Sequence, residues 1–276
     1  MTKTGILRLV FENRLMQAFI PAVNAIVTYA KYRAKVKTEF DKKNKRWVHI
    51  ENGKAIYVDK RPLWKARYGM LEEIVLNVCC KKYFPQKDDV IVDVGAGVGS
   101  ETIVFSRLVG ANGKVFAIEA HPETAFSLEL LIKNSDGMNN VHISPVAIGG
   151  SRGFSYINDM ENHVRNSLSV SERGLKVPVV TLDDYVSDNQ ISTINFLKIN
   201  VEGSEEEMIF GMEKTMTIVK NIAVSCHDFL EPSPTNRIKN KIEYLLDSYG
   251  FLVEGSSDEH PILSSWVYGK KESALK

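Results

Sequence analysis

The stretch VIVDVGAGVGSE, residues 90–101, does most to narrow what this chain can fold into. An apolar strand runs straight into three glycines at alternate positions, Gly95, Gly97 and Gly99, and a helix follows at once. Without a Cβ, glycine lets the backbone turn sharply and lets a ligand lie against it, and a helix N-terminus offers unpaired N–H groups and a partial positive charge. Beyond it the pattern repeats. Apolar runs at VFAIEA (115–120), VHISPVAI (141–148), INFLKI (194–199) and IAVSC (222–226) are separated by stretches of helical spacing. Strands that are apolar throughout and alternate with helices predict a parallel sheet covered on both faces, with ligands at the carboxyl ends of the strands.

Upstream the pattern differs. RWVHIENGKAIYVD (46–59) alternates apolar and polar residues around Asn52-Gly53, a strong hairpin signal, and LWKARYGMLEEIVLNVCCKKYF (63–84) has helical spacing. We therefore expect an appendage of helix, basic segment and hairpin over residues 1–62 and a main domain over 63–276. Leu15 to Ala30 carries no charge, and Lys31 to Arg46 then carries eight Lys or Arg against Glu39 and Asp41, an excess of six. The uncharged run is shorter than the roughly 20 residues of a spanning helix and is broken by Gln17, Pro21, Asn24 and Thr28. Residues 5–46 are thus expected either to pack on the main domain or on an oligomeric partner, or to lie on a membrane surface. The formal charge of +1 gives no global attraction to nucleic acid, which is not an expected partner. Cys79, Cys80 and Cys226 form no C-x-x-C pair or even framework, so a reducing, cytoplasmic setting is the default.

The glycine spacing is G-x-G-x-G with Asp93 two residues before Gly95, whereas the dinucleotide fingerprint is G-x-G-x-x-G. The difference favours a cofactor without a pyrophosphate. S-adenosylmethionine is one, and Asp93 is placed to hold its amine directly or through water. Glu119 ends the next strand twenty residues after Gly99, where an acid accepts the hydroxyls of a cofactor ribose. His121 then falls on the adenine side.

With these residues in view, the chain resembles the FkbM family of S-adenosylmethionine-dependent methyltransferases over roughly residues 65–270. The resemblance is carried by VDVGAGVGSET, VFAIEAHP, NVHISPVAIG, VPVVTLDDYV (177–186) and FLKINVEGSEEEMI (196–209). It implies a Rossmann-like seven-stranded, mostly parallel sheet with an antiparallel last strand, closed by FLVEG (251–255) and SWVYGK (265–270). It also implies O-methylation of a hydroxyl on a sugar, glycolipid or other small acceptor. Across the matching stretches the expected cofactor contacts are Asp93, Gly95, Ala96, Gly97, Gly99, Glu101, Glu119, Ala120, His121, Val146 and Ala147. The family pattern K-I-D-V-E-G has Asn200 at its Asp position here, and an amide takes no proton at working pH, though it still accepts a hydrogen bond.

A proton acceptor is therefore sought elsewhere. His227, just past the fifth strand, is the expected base, with Asp228 placed to orient it and with Asn200 and Glu202 at the neighbouring strand tip. His163, on a polar loop, is a second candidate. Glu205, Glu206 and Glu207 read as a solvated first turn of helix, and Asp183 and Asp184 as structural acids of another. No metal-binding motif is present, and none is expected to be bound. Two other classes stay open: a nicotinamide oxidoreductase, which would need G-x-G-x-x-G, and a cofactor-binding scaffold that has lost catalysis.

Overall fold

A computed structural model describes residues 13–63, 65–157, 168–169, 174–230 and 237–271. His163 lies outside them. The main sheet has seven strands: β4 (Val90–Val94), β5 (Lys114–Ile118), β6 (Val141–Ser144), β11 (Ile194–Ile199), β12 (Val219–Ser225), β13 (Phe251–Gly255) and β14 (Trp266–Lys271). Their order across the sheet is β13-β14-β12-β11-β4-β5-β6. The strands from β12 to β6 pair in parallel, and β14, antiparallel to both neighbours, is inserted between β12 and β13. This is the expected Rossmann-like sheet with its antiparallel last strand.

The strands read as continuous apolar runs because both faces are covered. Val92, Leu197 and Val224 belong to one core, with Leu182, Met208 and Leu246. Their sequence neighbours Ile91, Phe196 and Ala223 face the other, with Ile103, Phe105 and Leu131. That second core also takes in Val36, Val48, Ile56 and Val58 of the N-terminal segment.

The N-terminal segment holds more than the expected hairpin. β2 (Arg46–Glu51) and β3 (Lys54–Asp59) flank Asn52 and Gly53, both at positive φ, and β1 (Val36–Asp41) adds a third antiparallel strand. This strand was concealed inside the basic run, where Val36 and Thr38 are buried and the intervening Lys37 is exposed. Arg46 ties the sheet to the main domain: its Nε donates to Ser127 Oγ (2.8 Å) and its guanidinium pairs with Glu123 (2.9 Å). A helix over Arg14–Tyr32 packs on β1 and contains Pro21.

A further four-stranded sheet, β7-β10-β8-β9, is formed by β7 (Ala147–Ile148), β8 (Gly153–Ile157), β9 (Leu168–Ser169) and β10 (Leu175–Val180). It follows β6 and stands beside the carboxyl ends of the main strands, where Ala147, Ile148 and Ile157 help wall a cavity.

Candidate active site

The cavity, about 260 Å³, opens at the carboxyl ends of β4, β5 and β11. Its floor is the glycine turn. Gly95 N and Ala96 N both donate to Ile118 O (2.9 and 3.0 Å), and Asn200 N donates to Val94 O (3.0 Å), so three strand ends are knitted together. Gly95 has φ 74°, and a Cβ there would sit 1.9 Å from Asn200 O, which explains why no side chain fits. Gly97 has φ 58° and no atom within 4 Å of a would-be Cβ; its bare backbone faces the cavity.

Eleven of the sequence-predicted residues line this cavity: Gly95, Ala96, Gly97, Glu101, Glu119, Ala120, His121, Val146, Ala147, Asn200 and Glu202. Glu119 Oε2 accepts from Gly97 N and Oε1 from His121 N, each at 2.9 Å. The carboxylate is thus locked onto the turn. Asn200 Oδ1 is buried without a hydrogen-bond partner among the described residues. An open Gly97 backbone, a carboxylate fixed beside it and an orphaned acceptor fit a nucleoside cofactor with hydroxyl and amine donors.

Asp93 does not line the cavity. It is fully buried, its Oδ1 2.9 Å from Lys198 Nζ, and its Oδ2 accepts from Thr102 Oγ1 (2.8 Å). Lys198 Nζ also donates to Gly95 O (2.8 Å). Burial would push the Lys198 pKa down, but the charges of Asp93 and Glu101 outweigh it and raise it, so the ammonium stays charged. The expectation that Asp93 meets a cofactor amine is corrected here, since the acid is consumed by a buried cation that braces the turn. Lys198 was missed, yet a signal existed. Asp93 and Lys198 each stand alone as a charge in an apolar strand, and they are Cα partners in adjacent strands. Gly99 is also behind the cavity wall, with Leu128 and Leu131 filling the space a side chain would need.

At the tips of β11 and β12 a second polar group forms. Glu202 sits at φ 53° before Gly203 at φ 102°, a left-handed turn that costs a non-glycine residue on the order of 1–2 kcal/mol. That turn puts Glu202 in the cavity lining. Behind it His227, 4% exposed, puts Nε2 3.5 Å from Glu202 Oε1, and its Nδ1 hydrogen-bonds Glu205 Oε1. Burial would lower the imidazole pKa, but the two carboxylates reverse this and hold it at about 9, so at neutral pH the ring is a cation.

This changes three expectations. His227 does not line the cavity and already carries the proton that a base must be free to take. Asp228 does not orient the ring: its Oδ1 and Oδ2 accept from Ile238 N and Lys239 N (both 2.9 Å), capping the helix Arg237–Ser248. Glu205 is not a solvated helix-start acid but is 1% exposed against His227, while Glu206 pairs with Arg237 and Lys241 at the surface and Glu207 is exposed. Glu205 was hidden in a run of three identical residues, of which a helical turn directs only one inward. Asp183 and Asp184 are structural: Asp183 accepts from Thr215 N (2.7 Å), and Asp184 pairs with Arg152.

The model of the methyltransferase FkbM domain matches residues 93–253. A hexuronic acid methyltransferase, AglP, from Haloferax volcanii is 25% identical over 179 residues, covering 64% of this chain and 71% of the relative. A protein-L-isoaspartate O-methyltransferase from Methanococcus maripaludis is 28% identical over 165 residues, covering 55% of this chain and 73% of that one. Among solved structures, Aeropyrum pernix fibrillarin with natively bound S-adenosyl-L-methionine matches at TM-score 0.47 and 11% identity, covering 86% of this chain and 99% of that one. An Aquifex aeolicus SAM-dependent methyltransferase matches at TM-score 0.42 and 14% identity, covering 74% and 97%.

Proposed function

Since the chain belongs to the methyltransferase FkbM domain family, we propose that it moves a methyl group from S-adenosylmethionine to a hydroxyl of a sugar, glycolipid or similar small acceptor. The observation that carries this reading is the shared cavity: Gly97, Glu119 and Glu202 line one and the same space. When bound, S-adenosylmethionine supplies an electrophilic methyl carbon on a sulfonium, which leaves as a neutral thioether.

The chain's own residues do the rest. Glu119 would hold the ribose hydroxyls, the bare backbone at Gly97 would admit the nucleoside, and His121, Val146 and Ala147 would border the base. Glu101, in the first turn of the helix after the glycines and in the cavity lining, would hold the cofactor amine. Asn200 Oδ1 accepts from a donor on the cofactor or the acceptor. Holding the attacking oxygen in line with the methyl carbon is worth up to about 7–11 kcal/mol. The hydroxyl proton passes to Glu202 as the oxygen–carbon bond forms, and His227, protonated, fixes that carboxylate in position.

The Haloferax relative is a hexuronic acid methyltransferase, and a hexuronic acid offers a carboxylate as well as hydroxyls. The carboxylate at Glu202 favours the hydroxyl, because a hydroxyl donates to it and an anionic acceptor is repelled by it. Calorimetry with S-adenosylmethionine, S-adenosylhomocysteine and NAD tests the cofactor. Both methionine nucleosides should bind, NAD should not, and Glu119→Ala should weaken binding about 10- to 100-fold, the worth of one or two charge-assisted hydrogen bonds. Binding of NAD alone would overturn the reading. Alkaline treatment of the labelled product separates a stable ether from a hydrolysed ester.

A further inference from the structure

The helix Arg14–Tyr32 is packed with its polar side inward. Its buried residues are Ile20, Asn24 and Thr28. Asn24 Nδ2 donates to Thr38 Oγ1 (2.8 Å), Asn24 Oδ1 accepts from Lys65 N (2.9 Å), and Thr38 Oγ1 lies 3.1 Å from His49 Nδ1. These bonds fix the rotation of the helix, so what it shows outward is set by the fold. Outward it shows Leu15, Phe19, Ile26 and Tyr29, exposed by 79, 58, 68 and 47%, with Ala22 between them. Spaced by four and three residues, they form one stripe about 21 Å long. A stripe of this size on a helix whose buried side is partly polar marks a contact surface.

The charge around the stripe identifies what it meets. Residues 13–38 contain Arg14, Lys31, Arg33, Lys35 and Lys37, all exposed, and no Asp or Glu. Arg33 lies over the Tyr29 ring (5.4 Å), which puts a cation against the stripe itself, and Lys37 pairs with Glu39 at the surface. In a two-fold pairing with a second copy, each helix would bring these cations against the same cations with no acid on the stretch to answer them. An anionic lipid surface answers them directly, with headgroups for the basic residues and the acyl boundary for Leu15, Phe19 and Ile26. No helix among the described residues is long and apolar enough to cross a membrane. We propose that this helix lies in the plane of an anionic membrane surface and docks the protein there peripherally.

Flotation of the full chain with vesicles tests this, using phosphatidylcholine alone and phosphatidylcholine with about one third phosphatidylglycerol. Binding to the anionic vesicles should exceed binding to the neutral ones at least about tenfold and should fall at high salt. Phe19→Ser/Ile26→Ser and Lys31→Glu/Lys35→Glu should each lower it about tenfold or more, with thermal midpoints unchanged because these side chains are exposed. Absence of binding to anionic vesicles, or equal binding by wild type and both variants, would overturn the proposal. So would a dimer in light scattering that Phe19→Ser/Ile26→Ser dissolves without any vesicle binding, which would give the face to a second copy.

Discussion

Two buried charge groups flank the same cavity and are built on opposite principles. Beneath the glycine turn, Asp93 and Lys198 match one anion to one cation, add Thr102 and Gly95 O as hydrogen-bond partners, and are sealed from solvent. At the tips of β11 and β12, Glu202 and Glu205 place two carboxylates around one imidazolium, and Glu202 belongs to the cavity lining. The matched pair leaves nothing over for a ligand and serves as a brace. The unmatched group leaves a net negative charge beside the cavity, and the proposed hydroxyl acceptor rests on that charge. A buried charge beside a site is therefore weighed by what remains after its neighbours are counted, more than by its nearness to a motif.

The sharpest way to break the comparison is to unbalance the brace. Lys198→Met leaves Asp93 buried and uncompensated, a loss of about 3–5 kcal/mol, whereas Lys198→Met/Asp93→Leu should recover much of it. Denaturant unfolding measures both, and a single variant as stable as wild type would show that the pair is not a brace.

The open group has a signature in pH. The His227 pKa in the folded protein, about 9, lies above its ordinary 6.5. Its contribution to stability is thus complete below about pH 6.5, is lost as the pH rises to 9, and amounts to about 3 kcal/mol. The thermal midpoint should fall over that window in wild type and stay flatter in His227→Gln. Parallel curves would mean that the imidazole is not held as a cation. A smaller effect separates Asp228 from the chemistry: Asp228→Ala removes a helix cap and should cost about 0.5–2 kcal/mol of stability while leaving turnover per folded molecule unchanged.

The main sheet was legible because strands buried on both faces leave unbroken apolar runs, and part of the cavity lining because Gly95, Gly97 and Glu119 stand at a fixed spacing around one turn. What escaped depended on pairings that a linear reading does not display. The strand Val36–Asp41 was masked by its exposed Lys37 and by the basic residues on either side of it, and β7 and β9, two residues each, carry no period. Glu205 differs from Glu206 only in the direction a helical turn gives it. Asp228, next to His227 in sequence, points to a different helix, and Asp93, next to the glycines, points away from the cavity.

The central claim is that Glu202, held by a protonated His227, takes the proton of a hydroxyl acceptor. The most direct measurement is single-turnover transfer of labelled methyl from S-adenosylmethionine to hydroxyl acceptors by wild type and Glu202→Gln, with cofactor affinity measured on the same preparations. Transfer should fall about 100-fold or more while cofactor affinity stays within about twofold. Undiminished transfer by Glu202→Gln would contradict the account.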